Sequence, residues 1–280
     1  MRLECDPGEA EAAADRLWAL GAKAVGEEPG VLTAGFPDRE SAATATSQLG
    51  GRWGVSSGAD DGAWRSAWRA HARPVQVGPF LIRTTERGTG RTDSGAGHPP
   101  GTGSIALDID PGHSFGSGHH PTTRQCLAEL AELAGPGRSV LDVGSGSGVL
   151  AVAAARLGAG PVVAIDIHHQ ASRCTRANSR ANGVDVLVLT AGPAAVRSTF
   201  DLVVANLGGA LAPIALADLL KDLVAPGGAL VVAGLLAPGS GVEPDPTADQ
   251  PRQVQAALAG LDTEARRNGE GWVALRMRRR

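Results

Sequence analysis

Residues 140–159 read VLDVGSGSGVLAVAAARLGA: an apolar run, three glycines at alternate positions, then an alanine-rich stretch. That order predicts a strand, a loop through Gly144, Gly146 and Gly148, and a helix. A glycine loop between a strand and a helix brings backbone N–H groups close to a polar or anionic ligand. A plain structural turn is the competing reading. The spacing here is G-x-G-x-G, whereas the dinucleotide fingerprint is G-x-G-x-x-G.

Working outward, apolar runs alternate with helical patterns on both sides of this loop. SIALDID (104–110), VVAIDI (162–167), VLVLT (186–190), FDLVVANL (200–207) and GGALVVAGLL (227–236) read as strands. PTTRQCLAELAEL (121–133), HQASRCTRANSRANG (169–183) and IALADLLKDLV (214–224) read as helices. Such alternation implies a parallel sheet covered on both faces. LDTEARR, NGEG and WVALRMR (261–278) read instead as a hairpin, so the last strands are expected to be antiparallel.

Three side chains sharpen the loop. Asp142 lies two residues before Gly144, where a carboxylate would repel a pyrophosphate and favour a cation. S-adenosylmethionine carries a sulfonium and an ammonium and no phosphate. Asp166 ends the next strand, beside the crevice where the strand order of such a sheet switches. A carboxylate there can accept both hydroxyls of a ribose, and it can also cap the following helix. Asn206 ends a later strand, and its amide oxygen with the Leu207 carbonyl can accept hydrogen bonds from an amine. An Asn at a strand end is also a common turn residue.

Residues 1–58 read as a small α/β unit: strands at MRLEC, VLTAGF and RWGVSS, and helices at GEAEAAADRLWALGA and DRESAATATSQLG. Two strand–helix–strand arms predict a ferredoxin-like sandwich. Residues 59–103 are expected to be a linker. It starts with a helix carrying Trp64 and Trp68 on one face and ends in a Gly/Pro/Ser/Thr-rich loop over 86–103. A second proline-rich break, 237–251, is expected on the surface.

The bulk composition bounds the class. A chain of 280 residues with 42% hydrophobic and 20% charged residues can bury a sizeable core. The net charge of −3 gives no global attraction to nucleic acid or an anionic membrane. Arg276, Arg278, Arg279 and Arg280 form a local basic cluster, read as a solvated tail or, less favoured, as an RNA contact. Cys5, Cys126 and Cys174 have no zinc or disulfide spacing, and no run has signal or membrane length. A cytoplasmic, reducing location follows as the expectation.

DPGHSFGSGHHPTT (110–123) completes a resemblance. With VLDVGSGSGVLAVAAARLGA, AIDIHHQASRCTRANSRANGV and FDLVVANL, it resembles the PrmA family, methyltransferases of ribosomal protein eleven of the large subunit. The family pattern is approximately D-P-G-x-x-F-G-T-G-x-H-P-T-T, and Ser117 stands here for Thr. The resemblance is dense over 105–236. It implies an α/β fold: a doubly wound, mostly parallel, seven-stranded Rossmann-like methyltransferase sheet over 104–280 with an antiparallel last strand. It further implies that 1–58 is a ferredoxin-like substrate-recognition domain.

The resemblance implies S-adenosylmethionine as cofactor, touched by Phe115, Gly116, Thr123, Asp142, Gly144, Gly146, Asp166, Ile167 and Asn206. Phe115 and Gly116 would close over its methionine end. Asn206 and Leu207 would hold the acceptor amine, a lysine side chain or an α-amino group of the ribosomal protein. His113, His119 and His120 are then not metal ligands; His120 would anchor the loop, and His119 or His120 is a candidate to pass a proton to water. No metal, nucleic acid or membrane partner is expected, and the chain is expected to be a monomer. Leu207-Gly208-Gly209 departs from the family's Ile-Leu after the Asn. The rival readings are a related enzyme for another protein, peptide or small-molecule amine, and an inactive cofactor-binding protein that acts by interaction.

Overall fold

In the computed structural model the described residues are 1–6, 13, 16–17, 20–22, 24–28, 31–36, 39–50, 53–56, 74–85, 103–111, 114–208, 211–238 and 249–280. The expected Trp64/Trp68 helix, the expected loop over 86–102, His113, Gly209 and residues 239–248 lie outside them. The chain divides into two compact units, 1–72 and 73–280.

The first unit contains β1 (Arg2–Glu4), β2 (Ala24–Glu28), β3 (Val31–Gly35), α1 (Arg39–Leu49) and β4 (Gly54–Ser56). Its sheet runs β2-β3-β1-β4 with every pair antiparallel, the strand order of a ferredoxin-like sheet. Strand alternation explains the packing: Leu3, Leu32 and Ala34 point to one side and are buried with Ala13, Leu17 and Leu49.

The second unit carries the larger sheet. Its strands are β8 (Val140–Val143), β9 (Val162–Asp166), β10 (Leu187–Thr190), β11 (Phe200–Asn206), β12 (Val224–Leu236), β13 (Leu261–Gly269) and β14 (Trp272–Arg279). The order is β10-β9-β8-β11-β12-β14-β13. The first five strands are parallel and β14 is antiparallel to both neighbours. The continuous apolar runs divide cleanly between two faces. Val140, Ala164, Val204 and Val231 enter one core; Leu141, Val163, Val203 and Leu230 enter the other. Burial on both faces is why these strands read as unbroken hydrophobic stretches.

Helices α2 (Pro121–Leu133), α3 (Val149–Arg156) and α4 (His169–Ala181) lie between the early strands. The short α5 (Leu211–Ala215), α6 (Ala217–Leu223) and α7 (Gln250–Ala257) follow later. No helix among the described residues is long and apolar enough to cross a membrane.

Three segments differ from the sequence reading. Strand β2 (Ala24–Glu28) lies where the reading of 1–58 has no strand. Part of the expected linker, 59–103, is strand: β5 (Val75–Val77) and β6 (Phe80–Thr84) form a three-stranded sheet with β7 (Ile105–Ile109). Phe80, Ile82, Leu107 and Ile109 are fully buried in the first core, so the second unit begins ahead of residue 104. The proline-rich break over 237–251 ends inside α7, whose start is capped by the Asp249 carboxylate accepting from Arg252 N–H.

Candidate active site

The strand order reverses between β8 and β11, which opens a crevice at the carboxyl ends of the sheet. Register aligns the ends. Val143 pairs with Ile165 and Ala205, Thr190 with Asp166, and Asn206 with Ala233. Gly144, Asp166 and Asn206 are therefore neighbours in one row along that edge, as the sequence reading requires.

The glycine loop is a tight structure. Gly144, Gly146 and Gly148 all have positive φ, which suits glycine alone. A Cβ on Gly146 would lie 2.5 Å from the Phe115 carbonyl oxygen. Every amide from 144 to 148 is spent inside the protein. Gly144 and Ser145 N–H donate to Ile165 O, Ser147 N–H to Phe115 O, Gly148 N–H to Ser145 O, and Gly146 N–H to Asp166 Oδ2. No loop amide is left to cradle a phosphate, which removes the dinucleotide reading on geometry as well as on spacing.

Asp166 is held at both oxygens, by Gly146 N–H at 3.0 Å and His168 N–H at 2.8 Å. Its carboxylate is thereby fixed at the crevice with lone pairs to spare. Ile167 follows it and is 70% exposed. Asp142 lies within β8, inside the protein. It is 1% exposed, and its Oδ2 accepts from Ala151 N–H in the first turn of α3. Its Oδ1 is buried without a hydrogen-bond partner. Burial pushes its pKa up to about 7; the Ala151 bond opposes this and the Asp166 charge adds to it.

Phe115 and Gly116 sit on the glycine loop. Besides the Phe115 carbonyl bond, Ser147 Oγ donates to Gly116 O at 2.6 Å. His120 caps α2, its Nδ1 accepting from Thr122 N–H, and its ring meets Phe115 and Trp272 edge-on at 5.2 and 5.0 Å. Burial, with the nearby Arg124 charge, lowers its pKa to about 4. The ring is therefore neutral near pH 7, with Nδ1 committed to the cap.

Thr123 is 1% exposed and its hydroxyl accepts from Asn206 Nδ2 at 3.4 Å. That bond ties up the amide nitrogen and leaves Asn206 Oδ1 as the acceptor. Leu207 follows, its N–H on Ala233 O. Several residues packed around these groups escaped the sequence reading: Ser147, Asn178, which donates to both Ser147 O and Asp110 O, and Gly234, where a Cβ would overlap the Leu207 carbonyl oxygen. An isolated glycine inside an apolar strand, as in VVAGLL, is the signal that could have found Gly234.

The family model for ribosomal protein L11 methyltransferase (PrmA) matches residues 39–280. The ribosomal protein L11 methyltransferase of Pelotomaculum thermopropionicum is 39% identical over 222 residues, 77% of this chain and 65% of that one. That of Symbiobacterium thermophilum is 35% identical over 216 residues, 76% of this chain and 64% of that one. The matched span is thus somewhat less than two thirds of these relatives' length. The crystal structure of ribosomal protein L11 methylase from Lactobacillus delbrueckii subsp. bulgaricus has a TM-score of 0.62 at 24% identity. It covers 75% of this chain and 100% of that one, and shares the fold.

Proposed function

The chain belongs to the PrmA family of ribosomal protein L11 methyltransferases, and on that premise we propose that it methylates amines of ribosomal protein L11 with S-adenosylmethionine as donor. The observation that carries this reading is the row at the carboxyl edge of the sheet. Asp166 stands on one side of the spent glycine loop, and Asn206 Oδ1 with the Leu207 carbonyl on the other.

The residues present fit that cofactor. No loop amide awaits a phosphate, two carboxylates stand near each other, and one buried oxygen of Asp142 lacks a partner. Asp166 would hold the ribose hydroxyls and Ile167 would offer an apolar face to the adenine. Phe115 and Gly116 would cover the methionine end, and the Asp142 charge would favour the cationic ligand. When bound, S-adenosylmethionine supplies a methyl group on an already activated sulfonium.

What remains for the protein is to present a neutral amine in line. A free lysine titrates at about 10.4, so the amine must lose a proton to attack. Asn206 Oδ1 and the Leu207 carbonyl accept N–H bonds from it, which orients the remaining lone pair. The displaced proton passes to water, with His119 or His120 as the candidate carrier. Residues 1–58 are read as the unit that recognises the protein substrate, and action on a ribosomal protein implies the cytoplasm.

The test is intact-mass spectrometry of ribosomal protein L11 incubated with this protein and S-adenosylmethionine. Mass gains in whole methylene steps are expected. An unchanged mass, with S-adenosylhomocysteine still binding, would move the substrate to another protein, peptide or small-molecule amine.

A further inference from the structure

We propose that Gly234 is a positioning residue of the transfer site, acting through the carbonyl of Leu207; this rests on the role given above to Asn206 and Leu207. Gly234 lies in β12, on the opposite side of β11 from the glycine loop. Its φ is +89°, and the pairing of β12 with β14 shifts register between Val232 and Leu235, so it sits at an irregularity in the strand. The neighbouring Ala233 carbonyl accepts the Leu207 N–H at 3.3 Å, which draws the Leu207 backbone against this point.

A side chain at Gly234 has no room. A Cβ there would overlap the Leu207 carbonyl oxygen outright and lie 2.9 Å from the carbonyl carbon. It would also stand 3.5 Å from Asn206 Oδ1. Both acceptor oxygens thus lie around the position that the missing Cβ would take. From the other side, a Cβ on Gly144 would come within 2.6 Å of Leu207 Cδ2. Leu207 is wedged between two glycines, its side chain over β8 and its carbonyl over β12. The approach at Gly234 is backbone on backbone, so no rotamer change can relieve it. An alanine there must displace either the carbonyl or the strand.

The experiment compares Gly234→Ala with Gly227→Ala. Gly227 lies in the same strand with φ +73° but has nothing within 4 Å of its would-be Cβ. It therefore carries the backbone strain without the overlap. Two ligands are titrated by calorimetry: S-adenosylhomocysteine, and sinefungin, which bears an amine on the carbon that replaces the sulfur. That amine probes the acceptors directly and needs no protein substrate.

Gly234→Ala is expected to bind S-adenosylhomocysteine within about twofold of the unaltered protein and sinefungin about tenfold more weakly. Its turnover on ribosomal protein L11 should fall about a hundredfold, the usual scale for an ångström of misplacement. Gly227→Ala should leave both ratio and turnover unchanged. An unaltered sinefungin ratio in Gly234→Ala, or the same losses in Gly227→Ala, overturns the proposal. Should the unaltered protein bind both ligands yet leave ribosomal protein L11 unmethylated, the substrate reading fails while the sinefungin ratio still decides on Gly234. Failure to bind either ligand overturns both. If Gly234→Ala does not fold, replacing Gly208 by glycolate turns the Leu207 carbonyl into a weaker, ester acceptor. An unchanged sinefungin ratio there overturns the proposal too.

Discussion

Asp142 shows how burial turns one carboxylate into a pH-dependent element. Its charged form is penalised by burial and by the neighbouring Asp166 charge, and one N–H bond from Ala151 offsets this in part. With a folded pKa of about 7, above the ordinary carboxylate value, the native state binds a proton that the unfolded chain has released. Its contribution to stability is complete below the ordinary carboxylate pKa and is lost as pH rises through about 7. Asp142→Asn keeps an oxygen for Ala151 N–H and removes the buried charge. In the absence of ligand the variant should melt several degrees above the unaltered protein at pH 8, and the gap should close near pH 4. Melting curves at both pH values check this; a gap that does not depend on pH would contradict it. The spacing of Asp142, Asp166 and Asn206 placed them at one sheet edge from the sequence. The burial of Asp142 was not legible there, because it depends on helix α3 folding back over the strand.

At the level of elements, two asparagines on α4 do what a further strand would do. Strand β7 pairs with β6 alone in its sheet. Along its other edge Asn182 exchanges hydrogen bonds with the backbone of Asp108, and Asn178 with that of Asp110. Spaced four apart, the two amides lie on one helical face and match the two-residue step of the strand. Asn178 also donates to Ser147 O at 2.8 Å, so it ties the segment before Phe115 to the glycine loop. Asn178→Ala would leave two buried backbone groups unpaired, Asp110 N–H and Ser147 O, since Asp110 O keeps the Cys174 thiol as donor. It should destabilise the protein by roughly 3 kcal/mol, about 10 °C in melting temperature. A shift near zero, measured by thermal melting, would mean that water replaces the amide. The alternation of strands and helices was readable because burial on both faces leaves a continuous apolar run. The strands over 75–84 were not, since their short runs follow directly on a helical pattern and a long polar stretch of sequence separates them from their partner β7. Helix α7 was hidden for a related reason: Asp249, Gln250 and Pro251 read as loop residues until the cap is seen.

Over the whole molecule, the charge that most resembled a nucleic-acid signal is used internally. Arg276 pairs with Glu129 and Glu132, and Arg267 joins the same two carboxylates, so the terminal hairpin is fastened to α2. Arg278 forms a fork on Glu264 and reaches Gly227 O. Arg279 donates to the carbonyls of Lys221 and Val224, where it caps the end of α6. Arg280 pairs with Asp262 across the hairpin. A run that reads as a basic tail in one dimension alternates faces in a strand and meets an acid or carbonyl on each. This is why composition alone left two readings open. A surface that binds RNA must hold several uncompensated cations to release counterions, and its affinity then falls steeply with salt. With a net charge of −3 and these arginines engaged, single-stranded RNA should show no saturable binding at physiological salt. Fluorescence anisotropy of a labelled oligonucleotide, titrated at low and physiological salt, measures this. Tight binding with a steep salt slope, lost on substitution of Arg278 and Arg280 together, would mean that the hairpin pairs open to engage phosphate.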